Sequence, residues 1–284
     1  MTLKKNNILL TALKTADLDS DTPTNMASDS CHIRWRDKVL WISSGDRKKR
    51  SLLDLPALRS EGWLIDCLKK SPVTEICLAP QLNSTEAQIW AEAGRKARKK
   101  VYLRIPSDRH IAAIHDSSAW GIKRGIDFIA ASLLLVILSP LMLAIAIKQK
   151  LAGEIILVKQ QCVGKQGLLF ETLQFPQQPE MTKFGFRNLP LLINVLRGEM
   201  SFVGRHAYSL TESLSLSHKQ RKVLNLTPGI MGTSFKQLSK TTAADIYLQD
   251  CEYLTNWSLA VDLKILLLNF SLALLGKSSF HKTV

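Results

Sequence analysis

Apolar and polar positions alternate between residues 38 and 106 in a pattern that predicts short strands and a helix. "KVLWIS", "TEICLAP" and "VYLRIP" are apolar runs ended by Gly or Pro, as buried parallel strands often are. Before the last run, residues 83–85 can cap a helix, and Glu86 favours its N-terminal dipole. Strands alternating with helices indicate a truncated Rossmann-like α/β domain, which we assign to residues 31–115.

The longest apolar stretch lies further along, in "KRGIDFIAASLLLVILSPLMLAIAIKQK" (123–150). Between Ile126 and Ile147 the only charge is Asp127, at the edge of the stretch. At ~1.5 Å per residue a helix here reaches roughly 33 Å, which is enough to cross a bilayer. The stretch is therefore predicted to be a membrane helix rather than a buried soluble one.

Two features favour a re-entrant helix over a single span. Ser139 and Pro140 lie inside the run, and Pro removes an amide donor and breaks or kinks a helix, while the Ser hydroxyl can satisfy a freed carbonyl. Both flanks are basic, whereas a single span usually has one strongly basic side. We therefore predict a hairpin that enters and leaves on the same side and turns at Ser139-Pro140.

A second apolar stretch, residues 257–276, carries Asp262 and Lys264 near its start. Two charges make deep burial in lipid costly, and Trp257 at the head of the stretch is typical of an interface. Three placements remain open: a helix along the membrane surface, a helix under the domain, or an ordinary core helix.

The net charge of +14 and the pI near 9.7 call for an anionic partner: nucleic acid, anionic lipid or a phosphate-bearing substrate. The basic runs "DRKKR" (46–50) and "RKARKK" (95–100) lack interleaved aromatic residues and any nucleic-acid-binding motif. We expect no nucleic acid partner, and read the second run as a solvated helix face or a contact with anionic lipid. The lone Gly45 does not form a dinucleotide-binding loop.

The cysteines and the N-terminus add little chemistry. Five cysteines without a CxxC pair predict reduced thiols rather than disulfides or a metal site. Residues 1–30 contain the apolar run "ILLTAL", shorter than the ~7–15 residues of a signal-peptide core, followed by polar residues. They are predicted to form a flexible tail.

Five motifs follow one another in the second half of the chain. They are the apolar stretch itself, "VKQQCVGKQGLLF" (158–170), "LPLLINVLRGEMSFVG" (189–204), "LTPGIMG" (226–232) and "LQDCEYLTNWSLAVDLKILL" (248–267). Together they resemble the bacterial sugar transferase family, the monotopic polyprenyl-phosphate phosphoglycosyl transferases. The resemblance implies a transferase-like α/β domain over residues 120–284, with a re-entrant membrane helix at 123–150.

The family resemblance also implies an activity and a place in the cell. Members transfer a sugar phosphate from a nucleotide sugar to polyprenyl phosphate, which starts envelope or exopolysaccharide synthesis. We therefore expect a location on the cytoplasmic face of the bacterial inner membrane. The expected partners are membrane lipid, including polyprenyl phosphate, and the polysaccharide synthesis machinery.

The chain departs from the family pattern where the chemistry resides. Arg187 and Asn188 stand where the family has an Asp-Glu pair, and no Asp or Glu lies between Glu180 and Glu199. "QFPQQ" (174–178) replaces the family's K-F-R-S-M, and "VGRHA" (203–207) replaces V-G-P-R-P. An Arg-Asn pair can neither attack a diphosphate nor hold Mg²⁺ well, and loss of a nucleophile costs several powers of ten in rate.

We therefore expect no catalytic residue and no metal ligand, with Glu199 as the remaining candidate. Lys159, Arg205 and His206 are candidates for phosphate binding. The sequence predicts a non-catalytic scaffold or regulatory subunit without a cofactor. The alternatives are an active transferase that uses rearranged residues and Mg²⁺, and a basic membrane-surface adaptor unconnected with glycan synthesis.

Overall fold

A computed structural model describes residues 31–44, 61–108, 111, 114, 117–178, 186–231 and 243–274. The chain divides into two compact units, Met1–Arg104 and Ile105–Val284. The predicted tail (1–30) and the basic run 46–50 lie outside the described residues. The proposed domain bounds at 31–115 and 120–284 stay predictions.

The first unit is a four-stranded sheet with helices between its parallel strands. Strands β1 (Cys31–Arg36) and β2 (Val39–Ser44) form an antiparallel pair, and β3 (Glu75–Leu78) and β4 (Lys100–Leu103) continue the sheet parallel to β2. Helix α1 (Glu61–Lys70) precedes β3, and α2 (Ser84–Lys96) precedes β4. The three predicted runs thus form the parallel strands. The sequence pattern missed β1, and the Rossmann-like assignment stays a prediction.

The second unit combines a long helix with small sheets and short helices. Within the described residues its elements are α3 (Ser118–Leu151), β5 (Val158–Val163), β6 (Leu169–Gln174), α4 (Leu191–Leu196), β7 (Ser201–Val203), α5 (Leu210–Ser215), β8 (Gly229–Met231), α6 (Ala243–Asn256) and α7 (Leu259–Leu274). Strands β5 and β6 form an antiparallel hairpin, and β7 pairs in parallel with β8.

Two glycines from the family-like motifs permit the β7–β8 approach. A Cβ at Gly204 would stand 2.5 Å from the Thr227 carbonyl oxygen, and Gly229 lies equally tightly against Gly204. Only a residue without a side chain fits such a distance. The Val-Gly and Pro-Gly motifs therefore serve the packing of these two strands.

Helix α3 is the one helix, among the described residues, that is long and apolar enough to cross a membrane. It continues through Ser139 and Pro140, where a turn was expected. Pro140 has no N–H to bond the Val136 carbonyl, and the Ser139 hydroxyl donates to that oxygen at 2.9 Å. The expected rescue of a freed carbonyl is thus present, whereas the hairpin topology stays a prediction.

One side of α3 contacts its own unit from end to end. Near its start, Asp127 accepts hydrogen bonds from the Ser201 hydroxyl (2.6 Å) and the Phe202 amide (3.4 Å). In its middle, Ala131 is fully buried, and near its end Ile145 packs with Phe175. The other side is exposed and apolar, with Ile126, Ile129, Leu133, Val136, Ile137 and Leu143 among its residues.

Helix α7 contains the second apolar stretch and contacts β7 and β8. Asp262 is buried and pairs with Lys123 of α3, so neither charge faces lipid. The opposite side of α7 exposes Leu263 and Leu267. Of the placements left open, the structure shows the helix packed against its domain with one apolar side free.

Candidate functional site

Arg187 and Asn188, the residues predicted to replace the family's acids, lie beside a small cavity between the β5–β6 hairpin and the start of α4. Its volume is about 40 Å³, whereas pockets for small ligands typically measure ~300–1,000 Å³. Polar side chains at the cavity come from the hairpin, the turn before α4 and the loop after β7: Gln160, Cys162, Thr172, Gln174, Asn188 and His206. A space of this size holds a few water molecules rather than a sugar nucleotide.

Gln174 connects the two substituted positions. Its amide nitrogen donates to Asn188 Oδ1 at 3.1 Å, and its amide oxygen accepts from Arg187 Nη2 at 3.2 Å. The Arg187 carbonyl also accepts from the Phe175 amide at 3.0 Å, which ties the turn to the end of β6. The three polar side chains thus use one another as hydrogen-bond partners.

The donors around the cavity do not suit a divalent cation of the Mg²⁺ type. Such a cation prefers carboxylate oxygens in an octahedral arrangement. In the described part of the chain, the side chains that line the cavity include amides, a hydroxyl, a thiol and an imidazole, and no carboxylate. Among the described residues no group of three His, Cys, Asp or Glu is placed to hold a metal ion.

Glu199 and Lys159 lie away from this cavity. In the hairpin register, Gln160 and Thr172 face each other toward the cavity, while Lys159 and Glu171 project from the opposite face. Lys159 pairs with Glu171 at 3.7 Å. Glu199 accepts a hydrogen bond of 2.7 Å from the buried amide of Asn194, which also donates to the Glu171 carbonyl.

Burial raises the pKa of the Glu199 carboxyl above its usual value, although the Asn194 hydrogen bond acts in the opposite direction. A carboxyl with a raised folded-state pKa stabilises the fold when protonated, and that contribution is lost as the pH rises through the unfolded and then the folded pKa. We therefore expect Glu199→Gln to match the wild type in melting temperature at acid pH and to exceed it at neutral pH. Melting curves against pH, with exposed Glu154→Gln as the control, test this. Equal curves for both variants would contradict it.

Arg205 is fully buried, and all of its guanidinium nitrogens donate to backbone carbonyls. The acceptors are Leu226 O (2.9 Å), His206 O (2.6 Å), Val163 O (2.8 Å), Gly164 O (3.2 Å) and Leu224 O (3.5 Å). Burial lowers the pKa of this guanidinium to about 10, so the group stays charged at neutral pH. In this arrangement Arg205 joins the loop after β7 to the β5 end and to the segment before β8.

His206 is the one phosphate-binding candidate that lines the cavity. Its ring stands edge-on to Tyr208 at 4.8 Å, and its backbone amide donates to Asp250 at 3.1 Å. Tyr208 donates its hydroxyl to the same carboxylate at 2.9 Å, and burial raises its pKa. Asp250 belongs to the last family-like motif, and its role in holding this loop was not predicted.

A larger apolar groove lies beside Pro140. It has a volume of about 610 Å³ and is lined by Ser139 and Pro140, other α3 residues, and Phe175, Pro190 and Ile193. Gln174, which lines the small cavity, directly precedes Phe175, and Asn188, which also lines it, lies two residues before Pro190. The polar cavity and the apolar groove therefore share the β6 end and the start of α4.

The second unit thus combines an apolar helix packed along one side against the rest of the unit, a small polar cavity and an apolar groove. The family model described as bacterial sugar transferase matches residues 118–183 and 178–276. The chain therefore belongs to the bacterial sugar transferase family.

Several curated relatives match part of the chain. The galactosyl transferase CpsE of Streptococcus agalactiae is 33% identical over 118 residues, covering 39% of this chain and 26% of CpsE. The undecaprenyl-phosphate glucose phosphotransferase of Komagataeibacter xylinus is 29% identical over 199 residues, covering 56% of this chain and 37% of that protein. The exopolysaccharide production protein ExoY of Rhizobium meliloti is 25% identical over 198 residues, covering 56% of this chain and 88% of ExoY. The chain thus spans well under half of the first two relatives.

Proposed function

We propose that this protein is a non-catalytic, membrane-associated member of its family that acts as a scaffold or regulatory subunit in exopolysaccharide or envelope polysaccharide synthesis. It works at the cytoplasmic face of the bacterial inner membrane. Relatives named for sugar transfer to undecaprenyl phosphate and for exopolysaccharide production support the pathway.

The observation that carries the proposal is the hydrogen-bonded set of Arg187, Gln174 and Asn188. An enzyme of this kind needs a carboxylate that attacks or binds metal, and a cation that balances it. Here a cation and a neutral amide stand at the two acid positions, and a neutral amide stands where the family has Lys. Gln174 forms hydrogen bonds with both Arg187 and Asn188. The region therefore keeps its shape without the charges that phosphate transfer requires.

The contacts of α3 support a helix that stays on one side of the membrane. From Trp120 to Gln149 its buried residues touch the second unit, and at ~1.5 Å per residue this length is roughly 44 Å. If α3 crossed the membrane, its second half would lie away from the cytoplasmic side and could not contact the rest of the second unit there. Shallow or re-entrant insertion of α3 agrees with its contacts along the second unit, and it also places the exposed apolar side of the helix in lipid.

Nucleoside monophosphate release tests the loss of catalysis. The full chain in lipid nanodiscs is incubated with polyprenyl phosphate, Mg²⁺ and a panel of nucleotide sugars, beside an active family member under identical conditions. We expect release at the level of empty nanodiscs, at least ~10⁴-fold below the active enzyme, because none of the described side chains that line the cavity is a carboxylate.

Two variants sharpen this measurement. Release that Glu199→Ala abolishes would show a rebuilt active site and overturn the proposal. Arg187→Ala provides the matched test of the substituted position, and we expect it to leave the baseline unchanged. A fall in release on Arg187→Ala would likewise contradict the proposal, because it would make Arg187 part of a working site.

A further inference from the structure

One face of the first unit's sheet is left open by the two helices of that unit that the structure describes, α1 and α2. Helix α2 packs on the other face, where a Cβ at Gly94 would stand 2.5 Å from Val101 and 2.9 Å from Ile76. Side chains alternate along each strand, so Trp41 lies on the opposite face from Leu40. Trp41 is 40% exposed, whereas Leu40 is buried.

Strand register collects aromatic and cationic side chains on this open face. Arg34 lies opposite Trp41, Trp41 beside Cys77, and Cys77 beside Tyr102. The guanidinium of Arg104 lies over the Trp41 ring, 5.8 Å from its centroid. Lys100 and Arg34 are exposed, so cations border the row of rings on both edge strands and outnumber Glu75, the acidic residue that β3 places on the same face.

We propose that this open face is a docking surface for an acidic segment of a partner protein. The inference rests on the proposed scaffold function, which requires a partner. Arg, Trp and Tyr are the residues that contribute most to protein–protein affinity. Exposed guanidinium groups bind carboxylates in paired hydrogen bonds, so an Asp- or Glu-rich segment fits the charge of the face.

The arrangement disfavours the two other anionic partners. A nucleobase binds by stacking on an open aromatic face, but Arg104 already covers the Trp41 ring. A membrane-surface element needs a broad apolar side, and Trp41 is the only exposed large apolar side chain on this face among the described strands. An acidic polypeptide needs neither feature.

The size of the face favours a segment over a whole domain. Four strands spaced ~4.8 Å apart make a surface roughly 15 Å wide. A stable complex between domains buries about 800 Å² on each partner, which exceeds what this surface offers. One helix or extended segment covers it.

The test compares two charge-reversal variants of the full chain in nanodiscs. Arg34→Glu with Arg104→Glu changes the open face, and Lys70→Glu with Lys96→Glu makes the same change in net charge on the helices. The probe is a fluorescent peptide of alternating Glu and Tyr, with binding followed by anisotropy. We expect the first variant to weaken binding roughly tenfold or more and the second to change it less than about twofold.

Trp41→Ala leaves the net charge unchanged, so it distinguishes docking on this face from electrostatic attraction by the net charge of the protein. We expect a several-fold loss of peptide affinity from this variant, with unchanged circular dichroism. Equal losses from both charge-reversal variants, together with no effect of Trp41→Ala, would overturn the proposal, since net charge alone would explain the binding.

Two further probes identify the class of partner. A single-stranded oligonucleotide and phosphatidylglycerol vesicles are measured against the same variants. The proposal fails if either probe, rather than the peptide, loses affinity selectively when Arg34 and Arg104 are reversed. Nucleoside monophosphate release would refute the scaffold role independently, because none of these binding measurements depends on turnover.

Discussion

Replacing Arg205 with Met is expected to lower the free energy of unfolding of the second unit by about 4 kcal/mol or more. The substitution keeps an apolar stem of similar length but leaves several buried carbonyl oxygens without a donor. Each such acceptor costs ~1–3 kcal/mol when unpaired. Thermal unfolding in nanodiscs, followed by circular dichroism, should show a melting temperature lower by about 10 °C.

Arg197→Met is the matched control, because Arg197 is exposed at the end of α4. We expect its effect to stay within about 0.5 kcal/mol. Arg205→Lys should lie between the two, since one ammonium group cannot reach carbonyls on three separate segments. If Arg205→Met had the same melting temperature as Arg197→Met, the guanidinium would not be supporting the fold. Phosphate binding would then become the better explanation for the presence of Arg205.

The second large effect is expected from the buried pair between α3 and α7. Lys123 donates to Asp262 and to the Val203 carbonyl, while Tyr253 and Trp257 donate to the same carboxylate at 2.7 and 3.3 Å. Lys123→Met leaves a buried carboxylate without its cation, which costs ~3–5 kcal/mol. Fluorescence of Trp120 and Trp257, whose rings lie 5.3 Å apart beside the pair, reports the loss.

A double-mutant cycle shows whether the two charges act as a pair. Asp262→Asn keeps acceptors for Tyr253 and Trp257 while removing the charge. The double variant with Lys123→Met should therefore recover most of the stability that either single change removes. Additive losses would contradict the coupling. The pair Lys159–Glu171, in which Lys159 is exposed, is the control, and Lys159→Met should cost no more than ~1 kcal/mol.

This buried pair also changes how the basic flank of the membrane helix is understood. The sequence argument counted Lys123 and Arg124 as the basic flank that precedes the apolar stretch. In the structure Lys123 is neutralised by Asp262, and Arg124 donates to the Met200 carbonyl at 2.7 Å and pairs with Asp127. Lys148 and Lys150, at the other end of α3, are exposed. The presence of basic residues on both flanks of α3 is therefore weaker support for a re-entrant helix than the contacts along α3 are.

Local patterns in the sequence were sufficient for the elements that depend on neighbouring residues. The apolar run of α3 and the three parallel strands of the first unit were predicted because burial repeats with a regular period. The family was recognisable from ordered motifs, and the missing acids before Leu189 could be read directly. Strand β1 was missed because "CHIRWR" alternates charged and apolar residues without a bounding turn signal.

Contacts between distant parts of the chain decided the rest. Gln174 reaches Arg187 and Asn188 across 13 and 14 residues, and Lys123 reaches Asp262 across 139. No periodicity encodes such partners, because a side chain's partner depends on how whole elements pack. The amino-acid order alone therefore predicted which chemical groups depart from the family pattern. Only the folded chain showed that Arg205 and the Lys123–Asp262 pair bond to groups inside the fold.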